Sequence, residues 1–121
     1  MASVLIMEDD DLLRTHLSEG LTAAGHRVIE AENGKSGLGL FRSSQPDIVL
    51  TDIVMEDGEG IESIMEIRRW APHVPVIAMS GNSQYLSNSS KLGATHTLLK
   101  PFRMAELLAL FDRAISSRQT G

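Results

Sequence analysis

At 121 residues the chain has room for one domain with a real core and no more. Sixteen acids against eleven bases leave a net charge of −5, which argues against direct binding of nucleic acid, and the lack of cysteine excludes disulfides, thiolate chemistry and zinc-thiolate sites. The apolar run after Met1-Ala2-Ser3 is only four residues long, too short for a signal peptide or a membrane span, so no membrane insertion and a cytoplasmic compartment are expected.

Residues 3–7 read as a buried strand ending in Glu8-Asp9-Asp10. Asp10 or Asp11 can cap a helix that carries Leu13, Leu17, Leu21 and Ala24 on one apolar face, with Gly25 closing it. Residues 26–31 form a shorter, more polar strand suited to a sheet edge. Asn33-Gly34 is a turn, followed by a short helix over 35–43 with Leu38, Leu40 and Phe41. Pro46-Asp47 opens a third strand, Ile48-Val49-Leu50-Thr51, which ends at Asp52. A glycine-containing loop at 56–60 leads to a helix over 61–70 with Ile64, Met65 and Ile67. Pro72 and Pro75 bracket the way to a fourth strand, 76–79, ending at Ser80-Gly81-Asn82. Residues 83–90, rich in Ser and Asn, are poor helix formers, and Gly93-Ala94 closes that segment. A fifth strand, 95–99, ends at Lys100-Pro101, and a last helix from 103 to about 117 aligns Met104, Leu107, Leu108, Phe111 and Ile115. Five strands alternating with five helices predict a doubly wound parallel α/β sheet with right-handed crossovers.

In such a sheet, sites form outside the carboxyl ends of the strands. Glu8, Asp9, Asp52, Ser80 and Lys100 all fall there. Acids at a helix start are commonly no more than partners of the helix dipole, and a lone strand-end acid, lysine or Ser-Gly turn is ordinary. Together they are more pointed. Clustered carboxylates call for a hard divalent cation such as magnesium, Asp52 is placed to be a nucleophile forming an acyl phosphate, and Lys100 and Ser80 suit phosphoryl oxygens. Gly34-Lys35-Ser36 lacks the first glycine of a phosphate-binding loop, since Ile29 stands there. His16, His26, His73 and His96 show no ligand spacing, and Trp70 reads as packing.

The segments LIMEDD, PDIVLTDIVMEDGEG, VPVIAMSG and LGATHTLLKPF, at their spacing, resemble the receiver domain of two-component response regulators over nearly the whole chain. The resemblance implies a flavodoxin-like (βα)5 fold with strand order 2-1-3-4-5 and one receiver domain over 1–121. It makes Asp52 the phosphoacceptor, served by a sensor histidine kinase, a histidine phosphotransfer protein or a small phosphodonor. Glu8, Asp9, Asp52 and the Val54 backbone carbonyl would hold Mg2+, Ser80 and Lys100 would hold the phosphoryl oxygens, and Pro101 would be cis. Such a domain is not an enzyme acting on other molecules. It assists its own phosphorylation and dephosphorylation, and a stand-alone receiver would signal through a surface that binds a downstream output protein.

Three positions depart from the family pattern. Glu56 replaces a usual proline, Thr97 stands where many receivers carry a switch Tyr or Phe, and Ser80 replaces the commoner Thr. Val54 and Asn82 would flank the approach of hydrolytic water, which predicts a long-lived phosphorylated state. Two rival readings are a degenerate receiver used only for binding and an aspartyl-nucleophile phosphatase of the haloacid dehalogenase type. The latter needs an acid where Val54 stands.

Overall fold

A computed structural model of the protein describes residues 2–55 and 60–120, the last four without side-chain detail. In chain order the elements are β1 (Ser3–Met7), α1 (Asp11–Ala23), β2 (Arg27–Ala31), α2 (Gly34–Ser44), β3 (Ile48–Asp52), α3 (Gly60–Trp70), β4 (Val76–Ser80), α4 (Ser83–Leu92), β5 (His96–Leu99) and α5 (Met104–Thr120). All strand pairings are parallel, in the order β2-β1-β3-β4-β5, so the expected architecture stands and β2 is an edge. The 56–60 loop, with Glu56 and Gly58, lies outside the described residues except for Gly60.

Both faces of the sheet are buried, which explains why β1, β3 and β4 read as apolar runs without alternation. Successive side chains go to opposite faces. Val4, Ile6, Leu50, Ile77 and Met79 pack with Leu17 and Leu21 of α1 and Leu107 and Phe111 of α5. Leu5, Met7, Val49, Val76 and Ala78 pack with Phe41 of α2, Ile64 and Ile67 of α3 and Leu86 of α4.

Local chemistry fixes the ends. Asp10 caps α1, its carboxylate accepting from the N–H groups of Leu12 and Leu13 at 3.0 and 3.2 Å. Gly25, at φ 95°, takes the left-handed turn after α1. The helix face ends one turn earlier than its periodicity suggests: Ala24 is the exposed C-cap, not a core residue. Met65 is likewise 42% exposed, because the buried stripe of α3 runs through Ser63, Ile64 and Ile67. The serine-rich segment does form a helix, α4. Asn82 caps it by accepting from Gln84 and Tyr85 N–H, and Leu86 and Ser89 anchor it. Trp70 closes α3 against Phe41, with the Arg42 guanidinium 4.9 Å from its ring.

Candidate functional site

The register of the sheet sets the site. Met7 pairs with Thr51, Asp52 with Met79 and Ser80 with Leu99, so β1, β3, β4 and β5 end at nearly one level. Asp52 and Ser80, which end β3 and β4, therefore meet Glu8, Asp9 and Lys100, which come just after β1 and β5. One carboxylate oxygen from each of Glu8, Asp9 and Asp52 lies within 4.8 Å of the others. Glu8 and Asp52 are buried, at 1% and 6% exposure, and Asp9 is half-buried.

Lys100 joins this cluster from β5. Its Nζ lies 3.1 Å from Glu8 Oε1 and 3.3 Å from Asp52 Oδ2. The backbone supports that reach, since Lys100 N–H donates to the Ser80 carbonyl at 2.8 Å; the Lys100–Pro101 bond is cis, as expected. The second Asp52 oxygen accepts from Val54 N–H at 3.3 Å. Ser80 Oγ accepts from Asn82 N–H at 3.0 Å, which leaves the hydroxyl proton to donate elsewhere. Asn82 Oδ1 is committed to capping α4, and the Val54 side chain is 55% exposed beside Asp52.

The electrostatics follow from burial. Desolvation pushes the Glu8 carboxyl up to about 7, the negative charge of Asp52 adds to the rise, and the Asp10 N–H and Lys100 oppose it. Burial pulls Lys100 down, but its bond to Glu8 and the charge of Asp52 outweigh this and its pKa is raised. Three oxygen-donor carboxylates against one lysine leave an excess of negative charge. That donor set fits a hard, oxygen-seeking cation of the magnesium type.

Sequence reasoning missed Arg14. From α1 its Nη1 donates to the Glu8 carbonyl at 2.7 Å, its Nη2 pairs with Asp11 and its Nε lies 3.5 Å from Glu30. The spacing from Asp11 is an ordinary helical i, i+3 pair and was legible. The tie to the Glu8 backbone depends on how α1 lies on the sheet.

A family model of the response regulator receiver domain matches residues 4–112. The chain belongs to this family. Among curated relatives of this receiver, the KDP operon transcriptional regulatory protein KdpE of Escherichia coli K12 is 40% identical over 111 residues, 90% of this chain and 49% of KdpE. The DNA-binding transcriptional regulator NtrC of Azospirillum brasilense is 31% identical over 96% of this chain and 24% of its own. The receiver thus spans about half of one relative and a quarter of the other. Among solved structures, a response regulator receiver domain protein from Clostridium thermocellum superposes with a TM-score of 0.93 at 26% identity, covering 99% of this chain and 98% of that one. TrrA of Thermotoga maritima, solved in complex with Mg(2+)-BeF, gives a TM-score of 0.87 at 31% identity over 94% of this chain and 99% of its own. Response regulators are the phosphorylated partners in two-component signalling, and the chain is a receiver of that class. Among the described residues, no helix is long and apolar enough to cross a membrane.

Proposed function

We propose that this receiver is a magnesium-dependent switch phosphorylated on Asp52, with 1–121 acting as one receiver domain. The observation that carries this reading is the bridge from Lys100 Nζ to both Glu8 and Asp52, inside a cluster of three carboxylates at the ends of β1 and β3. A structural ion pair needs one acid per lysine. Here Lys100 bridges two buried acids, and the half-buried Asp9 carboxylate lies beside them.

In the transfer step an Asp52 oxygen attacks the phosphorus of a phosphohistidine in line. The O–P bond forms as the P–N bond breaks, and the electron pair leaves with the imidazole nitrogen, which takes up a proton. Little covalent work falls to the rest of the site, so positioning and charge supply the rate. Once Asp52 is an acyl phosphate, the Lys100 ammonium is attracted to the phosphoryl oxygens instead of the lost carboxylate charge. The Ser80 hydroxyl, already oriented by Asn82 N–H, donates to another of them. Glu8, Asp9, Asp52 and the Val54 carbonyl would hold Mg2+, which when bound neutralises the acids and the charge that builds on the phosphoryl group. TrrA, solved with Mg2+ and a beryllium fluoride, supports the same chemistry here.

The phosphodonor would be a sensor histidine kinase or a histidine phosphotransfer protein in the cytoplasm, and a protein partner would read the phosphorylated state. The protein acts on itself, assisting its own phosphorylation and dephosphorylation, and not on another substrate. The test is labelling with acetyl phosphate. Wild type should take one phosphoryl group in Mg2+ and none in EDTA, and Asp52→Asn should take none. Label retained by Asp52→Asn would overturn the assignment.

A further inference from the structure

The backbone of Asp52 is gripped from two sides by residues that touch none of the reacting atoms. Thr51, fully buried, donates its hydroxyl to the Asp52 carbonyl oxygen at 2.9 Å. Gly60, at the start of α3, abuts the same segment from outside the sheet. A Cβ at Gly60 would lie 2.1 Å from the Ile53 carbonyl oxygen and 2.8 Å from the Asp52 carbonyl oxygen. Those are backbone atoms of two tied peptide planes: Ile53 N–H is bonded to the Met79 carbonyl at 3.0 Å, and Val54 N–H, in the plane of the Ile53 carbonyl, to Asp52 Oδ1 at 3.3 Å. The backbone of Gly60 has no positive φ, so the position needs the missing side chain and not glycine's conformational freedom.

The consequence lies one residue further on. The chain leaves the sheet between Asp52 and Val54, and within that step the Val54 N–H must turn back to Asp52 Oδ1. The Asp52 carboxylate must at the same time stay within reach of Lys100. Both demands depend on the orientation of the peptide plane between Asp52 and Ile53. The Thr51 hydroxyl holds the oxygen of that plane, and Gly60 packs close to the same oxygen and closer still to the Ile53 carbonyl of the next plane, which carries the Val54 N–H.

We propose that Thr51 and Gly60 are positioning residues for the phosphoacceptor, holding the Asp52–Ile53 and Ile53–Val54 peptides so that the Asp52 carboxylate and the Val54 carbonyl face the same cation and phosphoryl site. The claim rests on the reading of Asp52 and Val54 given above. The competing account is that the Thr51 hydroxyl only satisfies a carbonyl at the end of a strand and that Gly60 is only close packing. On that account substitutions change stability and leave the site's affinity alone.

Two substitutions of Thr51 separate the accounts because they remove different parts of the side chain. Thr51→Val keeps the shape and loses the donor. Thr51→Ser keeps the donor and loses a buried methyl group. Mg2+ affinity is measured by calorimetry, acetyl phosphate labelling rate at saturating Mg2+ by mass spectrometry, and Tm by circular dichroism. Thr51→Val should bind Mg2+ about three- to tenfold more weakly, the range that one lost hydrogen bond supports. Its labelling should slow by at least as much, since small misplacements of reacting atoms are costly. Thr51→Ser should retain affinity and rate within about twofold while melting lower than wild type. Gly60→Ala should lose both affinity and rate together. Wild-type affinity and rate in Thr51→Val, or a loss in Thr51→Ser that matches Thr51→Val, would overturn the proposal. If the wild type binds Mg2+ but takes no label, the phosphoacceptor reading fails while the affinity ratio still decides the positioning claim. If the wild type binds no Mg2+, both fail.

Discussion

Replacing Asp52 with asparagine should stabilise the metal-free protein, although it destroys the phosphoacceptor. The acid oxygens of Glu8, Asp9 and Asp52 lie within 4.8 Å of one another, so at an effective dielectric of about 20 each repulsion on Asp52 amounts to at least about 3.5 kcal/mol. The attraction from Lys100 at 3.3 Å is worth about 5 kcal/mol on the same scale. Before solvent screening two repulsions exceed one attraction by about 2 kcal/mol, and screening of the half-exposed Asp9 weakens its share. Asparagine removes all three interactions and keeps an acceptor for Val54 N–H. At pH 8 in EDTA, where Glu8 is ionised because its carboxyl titrates at about 7, Asp52→Asn should melt up to about 6–10 °C above wild type. The decisive control is the Glu8→Gln background. With one repulsion gone, the effect of Asp52→Asn should shift toward destabilisation by about 3.5 kcal/mol relative to the Glu8 background. Saturating Mg2+ should raise the wild-type melt more than that of Asp52→Asn, by mass action on a site with one more ligand. Thermal unfolding by circular dichroism measures all four variants. An equal effect of Asp52→Asn in both backgrounds would refute the idea that the acids are held together against their repulsion.

Helix α4 carries serine or asparagine at Ser83, Ser87, Asn88, Ser89 and Ser90 and buries only Leu86 and Ser89, so its amides should exchange faster than those of α1 and change most on phosphorylation. Equal protection of the two helices in both states, by hydrogen exchange, would sink that expectation. The Val54 side chain stands exposed beside Asp52 with no polar atom to hold a water, and Asn82 spends its side-chain oxygen on the α4 cap. Val54→Asn should therefore release phosphate several-fold faster than wild type, and an unchanged rate would mean that Val54 does not shield the bond. Burial holds the His26 imidazole below 6.5, its Nδ1 accepting from Ala2 N–H and its ring lying 4.4 Å from Phe111. The unfolded chain then takes up the proton first as pH drops, so the stability from neutral His26 is full above 6.5 and is lost below it. Urea unfolding at pH 7.5 and 5.5 should show that loss in Glu8→Gln, where the opposing gain from protonating Glu8 near pH 7 is absent, and a smaller one in the Glu8→Gln/His26→Gln double variant.

Much of the protein is legible without coordinates. The continuous apolar runs of β1, β3 and β4 announce strands covered on both faces, and their alternation with helices leaves a parallel sheet as the solution. Once the strands are parallel, Glu8, Asp9, Asp52, Ser80 and Lys100 must lie at one end of the sheet, because each ends its strand or follows directly after it. Asp10 and Gly25 mark the ends of α1 through chemistry local to a few residues, whereas Asn33, which reads as a turn, caps α2 by accepting from Ser36 N–H. Other features needed the tertiary structure. That Ala24 faces solvent and Met65 is exposed depends on where each helix crosses the sheet, which periodicity does not encode. Residues 83–92 become helical despite weak propensity because Leu86 and Ser89 bury against the core and Asn82 caps the first turn. Arg14's bond to the Glu8 carbonyl, Thr51's to the Asp52 carbonyl and the contact that forbids a side chain at Gly60 are interactions with backbone atoms. A sequence names side chains but not the direction in which a carbonyl points, and that direction is fixed only when sheet and helices pack together.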